Sequence, residues 1–306
     1  MITSSDPVRA CCRGVHCPVI FEGGLVLTYQ ISSDSTCDLS EELLRRYQVR
    51  LTPLYVQLGG KTYRDGVDIR PDDIYAHVAA GGDLAATSAI NLADYVQLFS
   101  ELSRRVDFVI HICISSDFSC CYQNACLAAA DYPNVYVVDS RNLSTGHGHV
   151  VIEAARMAKE GLPPEEIVRR LEALTAHVDA SFILDQLAYM KKGGRCSTVA
   201  VLGANLLRLR PCIEVRDGKM GVGKKYRGSF EKCMVEYVTD RVGNRSDLRL
   251  DRVFVTHSGL PEKTVQLAVD TVRSLQPFQE IFVTRAGCTV SSHCGPGTIG
   301  VLYITK

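Results

Sequence analysis

The stretch that most constrains the fold is Asp107 to Ala130. An apolar run (Phe108, Val109, Ile110, Ile112, Cys113, Ile114) leads into Ser115-Ser116-Asp117-Phe118-Ser119, and small residues from Ala125 to Ala130 follow. A buried strand that ends in hydroxyls opening a helix is a unit of α/β architecture. The first helical N–H groups lack intrahelical partners, the macrodipole favours negative charge, and serine hydroxyls add donors, so such a turn can hold an anion. The same hydroxyls also serve as ordinary helix caps. Partners elsewhere in the chain have to decide between the two.

The pattern around this unit repeats. Leu25–Ile31 reads as a strand and ends in another hydroxyl turn, Ser32 to Asp38, before a helix with Leu39, Leu43, Leu44 and Tyr47 on one face. Leu51–Leu58 reads as a strand, Gly59-Gly60 as a hairpin turn, and Pro71 as a helix start. Residues 85–89 read as a small polar turn, followed by an amphipathic helix through Leu92, Tyr95, Val96, Phe99 and Leu102. Val135–Val138 is the next strand, and Ser144 to His149 opens a helix. Strands alternating with helices predict a parallel sheet covered on both faces, with function at its carboxyl ends.

Beyond residue 180 the pattern changes to hairpins mixed with helices, including Arg210–Val222 around Asp217-Gly218, and closes with a turn at Ser291–Gly297 and the strand Thr298–Ile304. The expected architecture is therefore α/β with two domains. Residues 25–180 form a parallel-sheet domain and 181–306 a domain with a mixed sheet, with a ligand between them. Residues 1–24 show no periodicity and read as an extension outside the fold.

Composition narrows the function. The 34 basic and 34 acidic residues balance, so no global field recruits nucleic acid. No apolar run reaches the length of a spanning helix, and the N-terminus is a poor signal peptide, which points to the cytoplasm. Thirteen cysteines are scattered without paired C-x-x-C spacing and read as reduced thiols. Cys11, Cys12, His16 and Cys17 form the only ligand-like cluster and lack a zinc-type fourth partner, so no metal is expected. No phosphate-loop or dinucleotide fingerprint is present. Neutral hydroxyls at the mouths of apolar elements suit a ligand with one anionic head and an apolar body.

In combination, Asp34-Ser35-Thr36-Cys37-Asp38-Leu39, Thr87-Ser88, Ser115 to Ser119 with Tyr122-Gln123, Lys191-Lys192-Gly193-Gly194-Arg195, and His293-Cys294-Gly295-Pro296-Gly297 with Gly300-Val301 resemble the DegV family. Those proteins bind fatty acids and serve as the acyl-carrying subunit of bacterial fatty acid kinase. The resemblance spans residues 25–306 and implies a non-enzymatic carrier with a long-chain fatty acid as ligand and no cofactor. It implies that Thr87, Ser119 and His293 hold the carboxylate, that Ser88, Ser115, Ser116 and Gly295 support the pocket, and that Lys192 and Arg195 face a kinase catalytic subunit. Transient membrane contact fits such a carrier. The chain departs from the family at Ala89-Ile90-Asn91, where Gln-Pro-Ser is usual, and at Cys120, which replaces a glycine.

Two other readings stay open on the residues alone. Cys120 or Cys121 at a helix start could be the nucleophile of a thiol hydrolase or acyltransferase, with His111 or His293 as base. Ser144 to His149 could hold a phosphate at its helix start.

Overall fold

A computed structural model describes residues 18–20, 26–200 and 209–306. In chain order the first half forms β1 (Pro18–Ile20), β2 (Val26–Asp34), α1 (Glu41–Arg46), β3 (Arg50–Thr52), β4 (Tyr55–Leu58), β5 (Lys61–Arg64), α2 (Pro71–Ala79), β6 (Ala86–Ser88), α3 (Leu92–Leu102), β7 (Phe108–Cys113), α4 (Cys121–Ala129), β8 (Val135–Asp139), α5 (Ser144–Lys159) and α6 (Pro164–Thr175). The second half adds β9 (Val178–Ile183), α7 (Leu187–Gly193), α8 (Ser197–Ala200), β10 (Leu209–Arg216), β11 (Lys219–Arg227), α9 (Phe230–Val242), β12 (Arg252–Ser258), α10 (Glu262–Leu275), β13 (Glu280–Arg285), α11 (Cys288–Cys294) and β14 (Thr298–Ile304).

Strand β2 pairs in parallel with β3 and β7, and β7 with β8. Every residue of β7 is buried, as a parallel strand with both faces covered requires. β1 pairs antiparallel with residues 26–28 of β2. Pro18–Ile20 thus adds a strand to the sheet edge, which corrects the reading of this stretch as outside the fold. The rest of that extension, with Cys11, Cys12, His16 and Cys17, lies outside the described residues.

The strand expected over Leu51–Leu58 divides at Pro53, since proline has no N–H to give a ladder. Its first part stays in the parallel sheet, and β4 passes into a separate sheet ordered β5-β4-β6. Gly59 and Gly60 take φ of 56° and 76°, the left-handed pair that a type I′ hairpin needs. The segment read as a turn at 85–89 instead supplies β6, with Thr87 opposite Val56.

The second large sheet runs β11-β10-β9-β14-β12-β13. Only β12 and β13 pair in parallel within it, so the sheet is mixed. Helix α5 packs between this sheet and the parallel one. Its residues 144–155 are all buried, the signature of a helix enclosed on every side. A side chain at Gly148 would put its Cβ 2.7 Å from the Cys37 carbonyl, so only glycine permits this approach. One apolar core joins Ile110 and Val151 to Phe182, Phe254 and Leu302 of the second sheet.

Burial also settles the phosphate reading of Ser144 to His149. Ser144 Oγ donates to Asp38 at 2.6 Å, Thr145 pairs with Thr256 at 2.6 Å, and His147 meets Ser33 at 3.0 Å. His149 Nδ1 accepts from Arg252, which leaves Nε2–H to donate to the Leu302 carbonyl at 3.0 Å. Their side chains are spent on one another, so this helix start offers no free side-chain donor to an anion, although Ser144 borders a cavity.

Candidate head-group site in an apolar cavity

Thr87, Ser119 and His293 come from β6, the turn before α4, and α11, and all three line one cavity of about 540 Å³. Apolar walls from Leu54, Ile114, Phe118, Leu143 and Val290 surround them. A second cavity of about 390 Å³ shares Leu143, Val290 and Cys294 and continues to Phe182 and Leu302 between α5 and the mixed sheet. The second also carries polar side chains, from Ser144, Thr256, His257, Ser258 and Thr298, so the two neighbouring cavities are apolar-walled spaces with polar groups in each.

The segment holding His293, read from the sequence as a turn, is helix α11 with His293 in its last turn. Six of its seven residues are buried, so it lacks the polar face that would reveal a helical period. Two buried carboxylates hold its start. The Gly287 N–H donates to Asp38 at 2.8 Å, and the Cys288 and Thr289 N–H groups donate to Asp65 at 2.8 and 3.0 Å. These are orphan donors of a first turn, and the two carboxyl groups satisfy them. Asp65 follows β5, and its own N–H donates to the Leu54 carbonyl at 2.9 Å. The small sheet that carries Thr87 is thereby tied to the helix that carries His293.

His293 Nε2 and Thr87 Oγ1 lie 2.7 Å apart, and His293 Nδ1 has no protein partner. Burial, and then the nearby Arg195 charge, push the imidazole down to about 4, so it is neutral at pH 7. A neutral imidazole has one N–H and the threonine one O–H. Their mutual bond uses one of these hydrogens, whichever tautomer is present, and the other remains for a ligand oxygen. Gly193 makes the arrangement possible, because a Cβ there would sit 2.2 Å from Nδ1.

Ser119 Oγ accepts from the Cys121 N–H at 3.3 Å and donates to Cys121 Sγ at 3.2 Å. Sulfur is a weak acceptor, so a carboxylate in the cavity would compete well for this hydroxyl. Ser88 lines the cavity as well. Ser115 and Ser116 do not: Ser115 Oγ donates to the Gly218 carbonyl at 2.8 Å, and the Ser116 N–H turns to Asp139. Their support is structural and at one remove. Gly295, at φ 72°, packs where a Cβ would lie 2.5 Å from the Tyr189 ring. Lys192 is exposed. Arg195, expected as a docking residue, is exposed and also lines the cavity, with Nη1 on the Gly193 carbonyl at 2.7 Å. It therefore belongs to the site as well as to the surface.

The geometry does not support a thiol enzyme. Burial pushes the Cys121 thiol up to about 12, away from the thiolate a nucleophile needs. Cys120 is exposed and is not among the residues lining the cavity. His111 is fully buried, with Nδ1 at 2.9 Å from Ser32 Oγ and its ring against Tyr95 and Phe99. Thr289 is a lining residue that the sequence reading missed, and its Oγ1 is buried without a protein partner. Its i, i+4 spacing from His293 was the available signal, hidden because α11 was not read as a helix. Among the described residues no cluster of histidine, cysteine and carboxylate side chains could hold a metal, and no helix is long and apolar enough to cross a membrane.

Fold and site together define an α/β protein with one largely parallel and one mixed sheet and a cavity whose apolar walls carry polar side chains from Thr87, Ser119, His293 and Arg195. Residues 28–306 match the family described as "Uncharacterised protein, DegV family", and the chain belongs to that family. The DegV domain-containing protein TTE1491 of Caldanaerobacter subterraneus subsp. tengcongensis is 30% identical over 279 residues, covering 90% of this chain and 98% of the relative. Among solved structures, a fatty-acid-binding DegV family protein from Thermus thermophilus is similar at TM-score 0.82 and 30% identity, over 91% of this chain and 99% of that one. DegV of Bacillus subtilis, described as a fatty acid binding protein, gives 0.79 and 26% over 92% and 100%. A stearic acid-binding protein from Eubacterium ventriosum gives 0.78 and 28% over 91% and 99%.

Proposed function

We propose that this protein binds a long-chain fatty acid, with the acyl chain in the joined apolar cavities and the carboxylate on Thr87, Ser119 and His293. The observation that carries the reading is the Thr87–His293 pair, 2.7 Å apart in a cavity walled by Leu54, Ile114, Phe118, Leu143 and Val290. Burying an acyl chain contributes about 0.8 kcal/mol per CH₂, so a long chain offers on the order of 10 kcal/mol before association costs. A carboxylate buried without donors would cost several kcal/mol, a cost that the hydroxyls and imidazole of this cavity would offset. Similarity to proteins described as fatty-acid-binding supports the same ligand class.

In this reading the protein is a cytoplasmic carrier and supplies no catalytic group. It presents the carboxylate, beside Arg195 and Lys192, to a fatty acid kinase catalytic subunit that forms the acyl phosphate, and it meets membranes only transiently. Organic extraction of natively purified protein followed by mass spectrometry tests the first step. Near-stoichiometric long-chain acid is the expected result. A protein that is empty and also refuses added palmitate and oleate would overturn the reading.

A further inference from the structure

Three polar side-chain atoms near the head of the cavity lack protein partners or hold only weak ones: His293 Nδ1, Thr289 Oγ1 and, through its bond to sulfur, Ser119 Oγ. His293 and Ser119 are absorbed by the reading above. Thr289 is not. It lines the same cavity as His293, is 5% exposed, and stands four residues earlier on α11. Residues four apart share one helix face, with Cβ atoms roughly 5–6 Å from each other. The backbone N–H of Thr289 is already committed to Asp65 at 3.0 Å, so the first turn is fixed and only the hydroxyl is unassigned. Thr289 lines the first cavity but not the second, which Val290 and Cys294 border. Thr289 therefore shares the cavity of Thr87, Ser119 and His293 and stands apart from the second.

We propose that Thr289 is a further head-group residue, whose hydroxyl donates to an oxygen of the bound carboxylate. The proposal rests on the fatty-acid reading and adds one side-chain donor to it. A buried hydroxyl with no partner is a cost to the empty protein, since folding strips it of water and returns nothing. Such a group is kept where a ligand satisfies it. This gives a pair of effects with opposite signs. Thr289→Val keeps the shape and removes the unsatisfied atom, so the ligand-free protein should hold or gain stability. The same change should weaken acid binding. A threonine retained for packing or internal bonding would instead lose stability and leave binding of a carboxylate and of its ester altered alike.

The test uses the full chain stripped of ligand, titrated with oleate and with methyl oleate, alongside thermal unfolding of the empty protein. For Thr289→Val the expected result is an unfolding midpoint at or above wild type and an oleate Kd raised at least about fivefold, with methyl oleate much less affected. Thr289→Ser keeps the hydroxyl and should retain most of the oleate affinity. A lowered midpoint with unchanged oleate binding, or an equal loss for acid and ester, would overturn the proposal. A wild-type protein that binds neither ligand would overturn the parent reading and this one with it, whereas wild-type binding matched by Thr289→Val would remove only this residue.

Discussion

Replacing Thr87 by valine tests the centre of the site. The substitution keeps the side-chain shape and deletes the oxygen 2.7 Å from His293 Nε2. In wild type the pair holds two hydrogens, uses one internally and has one left for the carboxylate. In Thr87→Val the imidazole N–H is the sole remaining hydrogen. It either serves the ligand without the threonine to orient the ring or turns away, and one buried polar atom stays unpaired in each case. His293 Nδ1 has no other protein partner to fall back on. Losing one such bond in a buried setting costs about 1–3 kcal/mol, which is roughly a 5- to 150-fold rise in Kd. Isothermal titration of delipidated protein with oleate measures it, and methyl oleate supplies the control, because the ester retains the acyl burial and lacks the charge. Oleate affinity within twofold of wild type would refute the reasoning. So would an equal loss for acid and ester, which would make Thr87 a packing residue of the cavity wall.

Other outcomes follow from the same geometry. Asp65 Oδ1 accepts from the Cys288 N–H, and Oδ2 accepts from the Thr289 N–H and Ser35 Oγ; Asp65→Asn turns one of these oxygens into a donor facing a donor and should lower stability by roughly 1–3 kcal/mol in chemical denaturation. A change of less than about 0.5 kcal/mol would mean that the α11 start does not depend on it. Burial holds His111 and His149 down to about 3 and His293 to about 4. Below an unfolded pKa near 6.5 the unfolded chain takes up protons first, so stability present above that pH is lost as pH falls toward 4. Burial raises Asp38 to about 8, which gives the opposite slope between its unfolded value and 8. Three histidines against one carboxyl should leave net acid lability, and a flat midpoint between pH 7 and 4.5 would contradict it. Arg195→Ala should weaken oleate more than methyl oleate and slow acyl-phosphate formation when a cognate kinase and ATP are added. Unchanged turnover and binding would reduce Arg195 to a surface residue.

How much of this was legible before the structure depends on whether a feature is local. Phe108–Cys113 was readable because an unbroken apolar strand has few other fates, and Phe230–Val242 and Glu262–Leu275 because one face of each is apolar and the other polar. The convergence of Thr87 with His293 was available only through the resemblance, since 206 positions separate them and no pattern within either segment refers to the other. The split at Pro53 was missed because a proline inside an apolar run was read through as strand, although it ends a ladder. Helix α11 was missed for the opposite reason to α9: burial on nearly all sides erases the period by which a helix is recognised. Thr289 was lost with it, and Asp65 was invisible because a cap that comes from another element, 223 positions away from Cys288, has no sequence signature.

The polarity of the helix ends explains why the site needs side-chain donors at all. Of the helices that meet at the cavity, α4 points its N-terminus toward Ser119, with the sign that favours an anion. Helices α7 and α11 end there, at Gly193 and Cys294, and present the carbonyl side, which disfavours one. Each such end is worth about 0.3–1 kcal/mol, so two opposing ends would outweigh the one that helps. The positive end of α11 also borders the cavity through Thr289, but its Gly287, Cys288 and Thr289 N–H groups are already taken by Asp38 and Asp65. A neutral His293 cannot offset this by charge. Arg195 can, since it follows the α7 end directly, lines the cavity, and already lowers the His293 pKa through its field. In the proposed complex Thr87, His293 and Ser119 would fix the direction of the carboxylate, and Arg195 would make its charge tolerable beside the carbonyl ends of α7 and α11.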